Sequence, residues 1–143
     1  NETGTYRVLR LALEGEDRGR IDVILDNLPG FPDNLSRGSN DLYWLGLVSP
    51  RSKALDDLSD WPNLRKIIQR LPAFLRPKAQ HYGHLIAFND AGEIFFNLQD
   101  PNSIYGQTTG AIEVGNKLYI SSLHETALGI MPNVNIDTDV VSD

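Results

Sequence analysis

The strongest constraint on the fold is that the chain repeats itself. "SNDLYWLGL" (39–47) returns as "GNKLYISSL" (115–123), an offset of 76 residues. Tyr6 of "TYRVLRLAL" and Tyr82 of "HYGHLIAFN" stand the same distance apart, and "IDVILDNLPG" has a looser counterpart in "GEIFFNLQDP". Each copy is a series of alternating or wholly apolar runs broken by turn signals such as "EGEDRG", "PGFPDN", "NDAGE" and "VGNK". That is the pattern of short strands. Short strands recurring at a fixed period point to an array of similar sheets rather than a sandwich.

The offset is too long for one four-stranded propeller blade, which takes about 40–50 residues. Residues 52–80 account for the excess. Here Leu55, Leu58, Trp61, Leu64, Ile67, Ile68 and Leu71 recur at helical spacing, with Ser52 and Asp60 as candidate N-caps and Pro72 as a stop. The helical part of this insertion is expected at about 52–76. With it removed, a blade's length is left. The strand runs then group as two (5–13, 21–27), four (34–37, 41–48, 83–89, 93–98) and three (109–114, 117–123, 126–131). The expected fold is all-β, a partial β-propeller of about two and a half four-stranded antiparallel blades over residues 1–132. Residues 133–143 are expected to form a flexible acidic tail.

Composition excludes several functions. Hydrophobic residues make up 41%, enough for a packed core, and there are no cysteines for disulfides, thiolate metal sites or thiol nucleophiles. The net charge of −6 argues against nucleic acid as a partner. No apolar run reaches the roughly 18 residues of a membrane-spanning helix. The chain opens on Asn1 rather than Met, so a segment upstream is expected. No P-loop, dinucleotide fingerprint, nucleophile elbow or zincin motif is present.

Asp33-Asn34, behind a Gly-Phe-Pro bend and just ahead of "LYWLGLV", is open to two readings. Both residues are common in turns, where they hydrogen-bond their own backbone. Together they are also two short oxygen ligands of the kind a hard cation takes. Three histidines are available. His81 and His84 sit at a strand entry and do not share a face, whereas His124 lies in a loop with Glu125, either as a solvated pair or as an acid–base device. His81 and Tyr82, just past the insertion, are candidates for a pocket mouth taking a small molecule.

"IDVILDNLPGFPDNLSRGSNDLYWLGLVSPRS", with "LRKIIQRLPAFLRP", "YGHLIAFNDAGEIFFNLQDP" and "KLYISSLHETALGIM", resembles the strictosidine synthase-like family of six-bladed propellers. That family is related to the paraoxonases and gluconolactonases, and the likeness is to its C-terminal part. In metal-dependent relatives a calcium ion lies on the propeller axis, and the resemblance puts Asp33 and Asn34 at such a position. The remaining ligands would come from blades outside this chain, so calcium is expected in a complete propeller and not in this chain alone. The resemblance places the catalytic glutamate of strictosidine synthase at Thr109 and a family histidine at Gln107. Neither titrates near neutrality, so a true strictosidine synthase is not expected. Two functions follow. One is a calcium-dependent ester or lactone hydrolase-like protein in complete form. The other is a non-catalytic module that binds a second copy, or a missing N-terminal half, through open blade edges.

Overall fold

A computed structural model describes residues 1–51, 80–102 and 104–135. The expected helical insertion and the end of the acidic tail lie outside these residues. The strands are β1 (Val8–Leu11), β2 (Ile21–Leu25), β3 (Gly30–Arg37), β4 (Tyr43–Pro50), β5 (Gly83–Phe88), β6 (Ile94–Asp100), β7 (Thr108–Val114), β8 (Lys117–Ser122) and β9 (Gly129–Pro132). They form three antiparallel sheets of two, four and three strands, in the orders β1-β2, β3-β4-β5-β6 and β7-β8-β9. This is the grouping expected from the turn signals. The repeat equates β1 and β2 with β5 and β6, so the first sheet is the outer half of a blade. Its inner strands have no counterpart among the described residues.

Alternation explains how the sheets stack. On β4 and β5, Leu45, Leu47, Ile86 and Phe88 pack with Tyr6, Val8, Leu25 and Leu28 of the first sheet and its flanks. Trp44, Leu85 and Ala87 point the other way, against Ala111 and Leu118 of the third sheet. The middle sheet is thus buried on both faces, and all six residues of β5 are buried. Each such aliphatic or aromatic side chain contributes about 1.5–3 kcal/mol. Blade-on-blade stacking is therefore the main source of stability. β7 lies against β3 and β4 and also touches β5, which brings the inner strands of adjacent blades together.

Both inner strands are longer or more irregular than the sequence suggests. β3 begins at Gly30, so Asp33 and Asn34 lie within it rather than ahead of it. Pro32 is tolerated because β3 is the edge of its sheet, where a missing N–H costs no ladder bond. The register steps from Pro32↔Leu47 to Leu35↔Leu45, so one extra residue is accommodated at Asp33-Asn34. On β7 it steps from Thr108↔Ser122 to Gly110↔Ser121, with Thr109 as the extra residue. These are β-bulges at repeat-equivalent positions.

Packing continues past Pro132. Asn133 and Asn135 are buried, and the Asn133 N–H donates to the Asn116 carbonyl at 2.9 Å. The free tail expected from residue 133 is therefore anchored at its start.

Candidate functional site

A bulge re-aims side chains at a strand end. On β7 it turns Thr108 toward the middle blade, where its hydroxyl accepts the His84 N–H at 2.9 Å and donates to the His84 carbonyl at 2.7 Å. Thr109 is buried, and its hydroxyl pairs with that of Ser121 at 2.6 Å. On β3, Asp33 is half-buried and Asn34 exposed, with Asn34 Nδ2 3.4 Å from Asp33 Oδ2. Asn34 backs onto Gly110, where an added Cβ would lie 3.2 Å from the Asn34 Cβ. The two bulges therefore bring Asp33-Asn34 and Thr109-Gly110 of adjacent blades to one rim.

As donors for a hard cation, Asp33 and Asn34 fit in kind. They are a carboxylate and a carboxamide on a short, edge-strand bulge. They fall short in number, since calcium takes six to eight oxygens. Among the described residues, no three His, Asp or Glu side chains converge as a metal site.

Gln107, just ahead of β7, has a left-handed backbone (φ 52°) and is buried. Its N–H donates to the Tyr82 carbonyl at 2.9 Å, and its carbonyl accepts the Leu123 N–H at 3.1 Å. The Tyr82 hydroxyl donates to Gln99 Oε1, and its ring meets His84 edge-on. His84 is buried, with Nε2 2.8 Å from Asn97 Oδ1. Burial pushes its imidazole below the usual range, against the Asn97 contact. His81 and His84 do not converge.

The histidine–carboxylate pair that forms is not the neighbouring one. Glu125 pairs with His81, Oε1 to Nε2 at 2.7 Å, and not with His124 beside it. The Gly106 N–H, at 3.4 Å, and then His81 hold the Glu125 carboxyl below its usual range. This dyad joins the segment entering β5 to the loop after β8. It stands at the end of β8 and the start of β5, beside Gln107 at the start of β7.

Sequence reasoning missed a second carboxylate, Glu113 on β7. Its Oε1 accepts Trp44 Nε1 at 2.6 Å and Asn135 Nδ2 at 3.0 Å. Its Oε2 accepts the Ser39 N–H at 2.9 Å and the Ser39 hydroxyl at 2.6 Å. Burial pushes this carboxyl up, but the donors from Ser39, Trp44 and Asn135 override it and hold the group at about 2. Every acceptor position is used, so Glu113 is a structural lock between blades. The one available signal was an acid sharing a strand face with Ala111.

Between β5-β6 and β8-β9 lies an apolar groove of about 430 Å³, lined among others by Leu85, Leu98, Ile120 and Met131, with Asp100 and Tyr105 also in its wall.

Stacked antiparallel blades whose inner strands meet at one rim define a propeller-type protein. No family model matches the chain. It is 31% identical over 134 residues to adipocyte plasma membrane-associated protein of Salmo salar, covering 89% of this chain and 32% of that protein. It is 32% identical over 143 residues to Protein STRICTOSIDINE SYNTHASE-LIKE 10 of Arabidopsis thaliana, covering 90% of this chain and 36% of that protein. Its homologues thus include a protein of the strictosidine synthase-like family. The chain spans about a third of the length of the curated relatives it matches.

Proposed function

We propose that the complete protein is an ester or lactone hydrolase-like member of this family, with Asp33 and Asn34 contributing to an axial calcium site. The observation that carries this reading is the pair of repeat-equivalent bulges, which sets hard oxygen donors on the inner rim beside a second inner strand. When bound, the cation would polarise a substrate carbonyl. Thr109 stands where the resemblance puts the glutamate of strictosidine synthase, and its hydroxyl is committed to Ser121. This supports hydrolysis over condensation chemistry. The test is turnover of a panel of aryl esters and lactones with calcium and with chelator. Calcium-independent or absent turnover by a full-length relative-sized protein would remove the reading. For this chain alone, two donors give weak binding, and stabilisation grows only as RT ln(1 + [L]/Kd). Its melting temperature should barely move in millimolar calcium. A clear rise abolished by Asp33→Ala would show a competent site within this chain.

A second reading is favoured by exposed apolar side chains on the two terminal sheets. Leu11, Ile21 and Val23 are exposed on the first, and Ile112, Val114 and Ile130 on the third. Apolar patches of more than a few hundred Å² are rare on monomers. In this reading the chain is an interaction module that self-associates through these blade faces. Light scattering after size exclusion should show a species heavier than the 16.0 kDa monomer. A monodisperse monomer that persists at high concentration would defeat it.

A further inference from the structure

The pairing of His81 with Glu125 is not demanded by the blade. Seventy-six residues earlier the corresponding positions hold Thr5, at the end of a short 3-10 turn, and Ser49, near the end of β4. There Gly30, the counterpart of Gly106, packs against the Ser49 carbonyl oxygen, 2.6 Å from where a Cβ would be. The repeat-equivalent positions therefore pack without a histidine–carboxylate pair. In the third blade the pair is held firmly. The Glu125 N–H donates to Ser122 Oγ at 3.2 Å, Ser122 donates to the Gly106 carbonyl at 2.6 Å, and the Gly106 N–H reaches Glu125 Oε1 at 3.4 Å. The His81 ring rests on Gly106 so closely that a Cβ there would meet Nδ1 at 2.7 Å. Yet the His81 side chain is 44% exposed. The imidazole is fixed on two sides and open to water.

Because Glu125 accepts at Nε2, the neutral ring carries its proton on Nε2 and has Nδ1 as its acceptor. Asp100 also acts on His81 electrostatically, its own carboxylate accepting the Tyr105 N–H at 2.9 Å, and His124 acts on Glu125.

We propose that His81 and Glu125 form a general acid–base dyad whose substrates are esters or lactones bound at this end of the propeller. The substrate class rests on the hydrolase reading above, and the dyad itself does not need the metal. Water gives a proton to His81 Nδ1 as its oxygen bonds to the carbonyl carbon and the C=O π pair moves onto oxygen. On collapse that pair returns, the C–O bond to the leaving alkoxide breaks, and Nδ1 returns the proton to it. One water is consumed, acid and alcohol are formed, and nothing is oxidised. Glu125 stays a carboxylate throughout, positioning the ring and stabilising its charged form.

The test combines hydrolysis of p-nitrophenyl butyrate from pH 5 to 9 with site-resolved diethyl pyrocarbonate labelling of the full chain. His124, exposed on the same loop as Glu125, is the internal reference. The wild-type rate should depend on pH across this range. His81→Gln should lose at least about 100-fold. Glu125→Gln, which keeps an acceptor for the Gly106 N–H, should lose less and alter the pH profile. A merely structural pair would not move it. Unchanged turnover in His81→Gln overturns the dyad and leaves the hydrolase reading standing. No wild-type turnover, with His81 labelled ahead of His124 and that lead lost in Glu125→Gln, supports the dyad and removes ester hydrolysis as its task. No turnover with both histidines labelled alike overturns the dyad.

Discussion

Replacing Glu113 by alanine should destabilise the chain by about 2–4 kcal/mol, because Trp44 Nε1 and the Asn135 amide lose their charged acceptor while largely buried. For a domain of this size that is on the order of a 10 °C fall in melting temperature. The pH dependence has a definite sign. The folded-state pKa, about 2, lies below the usual 4.5, so the contribution is fully present above 4.5 and is lost as pH falls toward 2. Since Glu113 is only half-buried, the pH-dependent part is discounted to about 1–2 kcal/mol. Glu113→Gln isolates it, for one amide face turns a donor toward the Ser39 N–H. Urea unfolding of wild type and Glu113→Gln at pH 7 should differ clearly, and the gap should narrow steadily from pH 4.5 toward pH 2. A gap that stays constant across that range would mean the carboxylate charge contributes nothing.

Gly46→Ala should have a comparable or larger effect. Gly46 lies on β4 where the inner strand of the next blade crosses it. An added Cβ would lie 2.2 Å from the Thr109 carbonyl carbon and 2.4 Å from the Gly110 nitrogen. These are backbone atoms of a bulged strand and cannot swing aside, so the blades must separate. Overpacking of this kind costs about 1–3 kcal/mol, and more where the backbone must move. Gly4→Ala, which meets nothing within 4 Å, serves as control and should stay within about 0.5 kcal/mol of wild type. If Gly46→Ala unfolded at the same denaturant concentration as Gly4→Ala, the inner strands would not be in the contact described.

The sheets were legible because each strand is a short apolar run between turn residues. Burial of β4 on both faces followed from the run "LYWLGLV", which barely alternates, whereas "LYISSL" on β8 reads the same way and is fully buried only at Leu118. The start of β3 was not legible, since "GFPDN" carries the residues of a turn. A bulge on an edge strand accepts Pro32, Asp33 and Asn34 without ending the ladder. Asp33, Asn34 and Thr109 could be assigned to one rim because the repeat aligned them. The dyad was beyond reach, for His81 and Glu125 are 44 residues apart and only blade stacking joins them. The neighbouring His124 offered a nearer partner that the loop does not use. Glu113 was equally hidden, its four donors coming from the β3–β4 hairpin, a strand on another sheet and the segment after Pro132.

The paired bulges make the rim a row of interchangeable sockets. Each adds one residue that the strand ladder does not count, so its side chain can change without shifting the pairing on either side. One blade can therefore carry an acid and an amide where the next carries a hydroxyl and a glycine, on the same backbone. Transplanting Asp33-Asn34 into positions 109–110, or the reverse, would be an exchange of rim chemistry between blades, limited by the close approach of Gly110 to Asn34 and by the burial of Thr109 against Ser121. A ring built this way can be rewritten one socket at a time.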